Sequence, residues 1–217
     1  MVPGTSLLSL SLFEKLAGVL GRPKLRLDYD NADKNCREKV VDVLESSLPF
    51  LEGAPGTYVP QHTPPPYQLH AAAHYLRVVV HNIGKSKPAE GCRVFVTAVS
   101  RGGNRVATVT SQLQWAHLLP SHLDERFGPR TIFVDAPQTV DLCKASAYDG
   151  RLSLLSEYAA RGGHCFGEKG AYEITLRAVG TNWVSPGWIT LRVHFDPEDL
   201  QHLHAEIISV RGKYRLA

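Results

Sequence analysis

The chain of 217 residues carries 24 Lys and Arg against 21 Asp and Glu, a net charge of +3, and 43% of its residues are hydrophobic. This length supports a large core without disulfide staples, and the balance is that of an ordinary globular protein. Clustered lysine and arginine blocks are missing, which argues against a nucleic-acid partner.

The first 23 residues predict an amphipathic helix ending at Gly21 and Pro23, because apolar residues recur near helical spacing. These residues are Leu8, Leu12, Leu16 and Val19. Glu14 and Lys15 interrupt the apolar run, and both a basic start and an A-x-A cleavage site are missing, so we expect neither a membrane span nor a signal peptide. We expect the helix to pack on the body, with docking to a partner or a membrane surface as the alternative. The cytoplasm or the cytoplasmic face of a membrane is the favoured location.

Between residues 24 and 69 the pattern is mixed. Residues 24–30 (KLRLDYD) alternate apolar and polar side chains and predict a strand, whereas residues 33–51 fit either a short helix or a strand. Residues 57–68 (TYVPQHTPPPYQ) are rich in proline and predict a linker or an edge crossover, with a ligand for an aromatic groove as the alternative. We interpret residues 1–69 as a segment that packs on the body or tethers it.

Residues 70–217 form the predicted body, in which short strand patterns follow one another between turn signals. The alternating segments are 73–82, 92–100, 105–115, 131–135, 139–145, 151–158, 171–179 and 188–195. Gly102 and Gly103 predict a tight hairpin turn, and residues 121–126 predict one helical turn. Without long helices between the strands, the pattern indicates an antiparallel β-sandwich. A short C-terminal extension should begin a helix at Asp196 and Pro197 and end in a strand near residues 207–210.

Two segments resemble known families. Residues 170–182 (GAYEITLRAVGTN), followed by 188–195 (WITLRVHF), are similar to the closing hairpin of immunoglobulin-like sandwiches, in which a Gly-x-Tyr opens a strand. This implies a tyrosine corner at Tyr172, with the hydroxyl bonded to nearby backbone. Residues 75–99 resemble the first hairpin of β-sandwich domains in uncharacterised bacterial proteins, several of which follow a membrane segment. The resemblance implies an all-β, immunoglobulin-like antiparallel β-sandwich with short peripheral helices.

The motifs that could carry chemistry are incomplete. Residues 161–170 (RGGHCFGEKG) have the glycine spacing of a phosphate-binding loop, but Glu168 stands where lysine is needed, so we interpret them as a turn. Two histidine pairs share a face, His70 with His74 and His202 with His204, without an acid or cysteine at ligand spacing. Residues 121–124 (SHLD) hold triad residue types, but triad members are rarely sequence neighbours. We therefore predict no catalytic residue, no metal ligand and no cofactor.

The four cysteines, Cys36, Cys92, Cys143 and Cys165, are widely spaced and form no C-x-x-C motif. This excludes ribbon-type zinc sites and thioredoxin-type redox chemistry. Two disulfides and four free thiols both remain open.

Two of the three tryptophans, Trp183 and Trp188, lie between the last two alternating segments. An exposed indole can stack on a sugar or anchor a protein interface, and folding back over the core is the alternative for each. We hypothesise a non-enzymatic binding or scaffolding module with protein as the favoured partner. A carbohydrate-binding module is the first alternative, indicated if Trp183, Trp188 and Tyr58 or Tyr67 share one flat surface. A hydrolase whose residues converge only in the fold is the second.

Overall fold

The computed structural model of the chain describes residues 21–46, 67–107, 110–118, 123–157, 165–181 and 184–211. These residues form two antiparallel β-sheets that pack together around one hydrophobic core. The all-β sandwich predicted from the alternating segments is therefore confirmed.

The elements of the described residues are short and nearly all strands. In chain order the strands are β1 (Leu25–Asp28), β2 (Arg37–Ser46), β3 (Tyr67–Asn82), β4 (Ala89–Arg101), β5 (Asn104–Ala107), β6 (Ser111–Gln112), β7 (Arg130–Ile132), β8 (Gln138–Ser146), β9 (Arg151–Leu154), β10 (Cys165–Phe166), β11 (Gly170–Val179), β12 (Gly187–Phe195) and β13 (His204–Arg211). The helix α1 (Leu123–Phe127) precedes β7, and a 3₁₀ turn (Leu200–His202) precedes β13.

The two sheets divide the strands between them. The first sheet has the order β1-β3-β8-β9-β10, and β2 also pairs with β3. The second sheet has the order β13-β12-β11-β4-β5, and β6 and β7 also pair with β4. Alternate side chains of the strands meet in the core, as the sequence period of two predicts. On β12, for example, Ile189, Leu191 and Val193 are buried, whereas the residues between them are only partly buried.

The N-terminal strand patterns are built into the first sheet. Residues 24–30 form β1 as predicted, with Leu25 and Leu27 buried in the core. Residues 33–51, which fitted helix or strand, contain β2, which pairs antiparallel with β3 from Arg37 opposite Leu76 onward.

The turn predicted at Gly102 and Gly103 joins β4 to β5. Arg101 and Asn104 pair across it, and the two glycines have φ angles of 56° and 81°. Two consecutive positive φ angles give the turn a twist that matches the flanking strands, and glycine adopts them without a steric penalty.

The hairpin expected over residues 75–99 is wrong, because β3 lies in the first sheet and β4 in the second. The buried side chain of Asn82 holds the crossing between them. Its Nδ2 donates to the carbonyl oxygens of Lys87, at 2.8 Å, and Ile132, at 3.1 Å, and its Oδ1 accepts from the amide of Gly84 at 3.0 Å. One amide therefore satisfies the backbone of a loop that changes sheets.

The backbone hydrogen bond expected of Tyr172 is present. Its hydroxyl donates to the carbonyl oxygen of Glu168 at 2.7 Å, while the residue is only 2% exposed. The ring lies 5.0 Å from that of Phe166, and the guanidinium of Arg101 stands over it at 5.7 Å. These contacts fix the turn that leads into β11.

Residues 111–116, the crossing segment, join the two sheets. At one end β6 pairs with β4 of the second sheet. At the other end the amide of Gln114 donates to the carbonyl oxygen of Leu155, and the amide of Asp141 donates to that of Gln114, both at 3.0 Å. The third tryptophan, Trp115, is buried in this segment.

The four cysteines are free thiols in this structure. Cys36, Cys92 and Cys143 are buried and Cys165 is exposed. Burial raises the pKa of the Cys92 thiol to about 11 and raises that of Cys143 further. The three buried thiols therefore pack as small apolar side chains.

Other predictions near the termini have mixed outcomes. The helical turn predicted at 121–126 corresponds to α1, and the final strand is β13, but the helix expected after Asp196 is only the 3₁₀ turn. The helix predicted between residues 8 and 20, the proline-rich residues 57–66 and Trp183 lie outside the described residues. Within the described ranges, no helix has the length and apolar character needed to cross a bilayer.

Candidate binding face on the second sheet

The outer face of the second sheet carries the candidate site. Successive side chains of a strand point to opposite faces, so the residues between the core positions of β4, β11, β12 and β13 face outward. The strand register aligns them in three rows, Phe95 with Arg177 and Trp188, Thr175 with Thr190 and Ser209, and Glu173 with Arg192 and Glu206.

Trp188 lies half-buried in the first of these rows. It stands directly across from Arg177, whose guanidinium carbon is 4.7 Å from the centre of the indole ring. A guanidinium over an indole at this distance is a cation–π contact. Arg177 itself is exposed. The structure thus places Trp188 on the sheet face, and because Trp183 is outside the described residues, the two predicted site residues are not brought together.

Gly187 fixes the position of Trp188. A Cβ atom at residue 187 would lie 2.6 Å from the carbonyl oxygen of Leu25, which is too close for any other residue type. The amide of Leu25 also donates to the carbonyl oxygen of Ser185 at 3.0 Å. The backbone of β1 therefore presses on the start of β12 and holds the residue before the indole in place.

A small depression adjoins the indole in the second row. It has a volume of about 170 Å³ and is lined by Thr175, Thr190, Ser209, Trp188 and Ile189. The hydroxyl oxygens of Thr175 and Thr190 are 3.2 Å apart and hydrogen-bonded. Each hydroxyl can also donate to or accept from a ligand, so the depression offers polar groups beside an aromatic edge.

The third row is neutralised by its own members. Arg192 bonds the carboxylate of Glu173 at 3.0 Å and that of Glu206 at 2.9 Å. These hydrogen bonds raise the pKa of Arg192, and the bonds from Arg192 and His194 lower the pKa of Glu206. His194 also stacks on His204 with ring centres 4.6 Å apart. This row has little charge left for a ligand.

The first row differs, because its arginine lacks an acid. Among the described residues, Arg177 and the exposed Arg93 have no carboxylate within ion-pair distance. Arg93 lies two positions before Phe95 on β4, which places both on the outer face. We call Arg93, Phe95, Arg177 and Trp188 the cationic-aromatic patch.

A second polar cluster lies on the first sheet. Arg77 bonds Asp141 through Nε at 2.6 Å and also pairs with Glu38, while Gln114 donates to the second oxygen of Asp141 at 2.8 Å and accepts from Arg126. Burial lowers the pKa of Arg77, but the bonds with Asp141 and Glu38 outweigh it and raise the pKa overall. These groups satisfy one another and tie β2, β3, β8 and α1 together, which is a structural role.

The remaining sequence candidates do not converge. Burial, and then the charges of Lys39 and Arg37, lower the pKa of His74, while His202 bonds Asp199 at 2.5 Å. In the part of the chain that the structure describes, no group of three or more His, Cys, Asp or Glu residues could hold a metal ion. The glycine-rich residues 165–170 connect β10 directly to β11, so this part of the segment lacks the helix N-terminus that a phosphate loop needs. An open cleft of about 560 Å³ beside α1, lined by Glu125 and Arg130 among others, holds no such cluster either.

Sequence reasoning missed Arg177, Phe95 and the hydroxyl row. The signal for Arg177 was present, because the alternation of the last two strands and the loop between them fix which residues lie opposite each other. Phe95 and Ser209 belong to strands whose register is interrupted by bulges, and a bulge cannot be counted from alternation alone. Comparisons with protein-family models, with curated proteins and with solved structures found no match to this chain.

Proposed function

We propose that the chain is a non-enzymatic binding module that docks a protein partner on the outer face of its second sheet. The observation that carries this proposal is the stack of Arg177 on Trp188 in the middle of that face. Tryptophan and arginine are among the residues most enriched at the energetic centres of protein interfaces. The solvent face of an antiparallel sheet is ordinarily polar, so an indole and a phenyl ring in adjacent rows need an explanation.

The backbone beneath the patch supports this role. β11 and β12 pair without interruption from Gly170 opposite Phe195 to Ala178 opposite Gly187, and β4 pairs with β11 on the other side. A surface held by central strands loses little conformational freedom on binding, which reduces the cost of association.

Carbohydrate binding is the second candidate, and the hydroxyl-lined depression beside Trp188 is the observation that favours it. A sugar ring stacks on the face of an indole, however, and Arg177 covers a face of Trp188. A sugar there would have to displace the guanidinium from its cation–π contact. The protein partner is therefore the better-supported proposal.

Site-specific cross-linking tests the docking face. A photoreactive phenylalanine analogue replaces Thr190 in the full chain, and cross-linked proteins from the native lysate are identified by mass spectrometry. The matched control carries the analogue at Ser153 of the first sheet. We expect a defined partner from position 190 that is lost from the same chain carrying Trp188→Ala, with an unchanged melting temperature. Equal capture from both positions, or capture that survives Trp188→Ala, would contradict the proposal.

A glycan array separates the second candidate from the first. If the wild-type chain binds a glycan and Trp188→Ala abolishes that binding, the face is a carbohydrate site. We expect no such glycan.

A further inference from the structure

Resting on the proposed docking face, we infer that the partner presents an acidic extended segment, and that a glutamate or aspartate of that segment binds the guanidinium of Arg177. The inference deepens the proposed function by naming the chemistry that the cationic-aromatic patch recognises.

The two central arginines of the face show why a carboxylate fits. Arg192 already holds Glu173 and Glu206, which occupy both of its terminal nitrogens. Arg177 is two residue pairs away on the neighbouring strand and makes no ion pair with a described residue. A guanidinium presents a planar fork of donors that matches the two oxygens of a carboxylate. The acid missing from Arg177 is thus the group that a partner would supply.

The indole prepares Arg177 for this contact. With its guanidinium carbon 4.7 Å from the ring centre, the group is held in one orientation while the residue stays exposed. Arginine normally loses much side-chain freedom on binding, and part of that loss has already occurred here. The stacked guanidinium is therefore a preorganised anion receptor.

The neighbours of Arg177 indicate an extended peptide around the acid. Arg93 adds a second exposed positive charge, and Phe95 and Trp188 flank Arg177 on either side in the register. Adjacent strands are about 4.8 Å apart, so this row spans about 10 Å. An extended segment repeats its side chains about every 6.7 Å on one face, so a carboxylate over Arg177 leaves an apolar neighbour within reach of either ring.

A nucleic acid fits the same positive charge less well. Single strands are bound through bases stacked on open aromatic faces, and Arg177 covers a face of Trp188. The net charge of +3 also provides little general attraction for a phosphate backbone. Carboxylates on a peptide are the ligand that the patch favours.

Peptide display tests the inference even while the partner is unidentified. A random library of twelve-residue peptides is selected on the full wild-type chain, with the full chain carrying Arg177→Gln as the counter-selection target. We expect the enriched sequences to share an aspartate or glutamate with an apolar residue two positions away. Enrichment of neutral or basic sequences, or no enrichment over Arg177→Gln, would overturn the inference.

Affinity measurements then locate the contact. The best peptide, with an amidated C-terminus, is compared with its Glu→Gln or Asp→Asn version on the wild-type, Arg177→Gln and Arg151→Gln chains. We expect about a tenfold loss, about 1.4 kcal/mol, from removing either the acid or Arg177, and less than about a twofold change from the control on β9. Equal losses from Arg177→Gln and Arg151→Gln would show general charge attraction and overturn the inference.

Two further arms identify other sources of the signal. A single-stranded oligothymidine that binds more tightly than the peptide with the same dependence on Arg177 would assign the patch to phosphate and overturn the inference. A cross-linked partner that depends on Trp188 but not on Arg177 would leave the docking face standing while removing the acidic contact. Failure of the inference and failure of the proposed function are therefore distinguishable.

Discussion

Removing the guanidinium of Arg77 should destabilise the protein severely. Arg77 and Asp141 are each 5% exposed, and Nε of Arg77 lies 2.6 Å from a carboxylate oxygen of Asp141. The substitution Arg77→Met keeps an unbranched side chain in the same space but removes every donor. Asp141 then remains buried, with the amide of Gln114 as the side-chain donor that is left to it.

The expected magnitude follows from this burial. Breaking a buried ion pair by removing one partner costs about 3–5 kcal/mol, because the remaining charge is uncompensated. Glu38 also pairs with Arg77, but its side chain is 40% exposed, so Glu38→Gln should cost no more than about 1 kcal/mol. The double substitution Arg77→Met with Asp141→Leu leaves no buried charge and should recover most of the loss.

Urea denaturation of the full chain measures these differences. With a slope of about 2–3 kcal/mol per molar urea, a loss of about 4 kcal/mol lowers the midpoint by about 1.5–2 M. Equal midpoints for Arg77→Met and Glu38→Gln would refute the reasoning, since the buried pair would then contribute no more than an exposed one. A double variant less stable than Arg77→Met would likewise show that the stranded carboxylate is not the cause.

Three further predictions concern the frame around the binding face. Gly187→Ala should cost about 1–3 kcal/mol in urea, because the new Cβ meets backbone, whereas Gly167→Ala, with its nearest contact at 4.0 Å, should change stability by less than about 0.5 kcal/mol; equal effects would contradict this. Tyr172→Phe should lose about 1 kcal/mol and lower the melting temperature by about 2–4 °C, and the exposed control Tyr148→Phe should lower it by neither. Above about pH 8.5, the unfolded thiol of Cys143 ionises while the folded one, its pKa raised by burial, stays protonated, so its contribution to stability should fall by about 1.4 kcal/mol per pH unit; Cys143→Ala should flatten that decline, and an unchanged slope would count against it.

The sequence predicted the parts of the fold that depend on local periodicity. β11 and β12 alternate cleanly, so their hairpin and the tyrosine contact at residue 172 could be anticipated. β2 remained open because a segment with neighbouring valines satisfies helix and strand periods equally over a short length. Its pairing with β3, a long-range contact, decided the outcome.

The errors and omissions arise where distant segments meet. The short loop after Asn82 suits a hairpin as well as a change of sheet, and the choice depends on which sheet β4 joins. Arg77 occupies an outward position on β3, where alternation predicts exposure, yet it is buried in contact with Asp141. Among the site residues, Trp188 could be found from its residue type, whereas the unpaired state of Arg177 is a property of every side chain around it.

The crossing segment makes the two sheets one cooperative unit. Its amides donate to Val94 in the second sheet and to Leu155 in the first, so neither sheet can separate from the other without exposing backbone donors on both. In hydrogen exchange, these amides should open only with the whole protein, at the same free energy as the most protected core strands. A ligand on the outer face of the second sheet would then slow exchange in the first as well, because local opening of either sheet requires release of the shared strand.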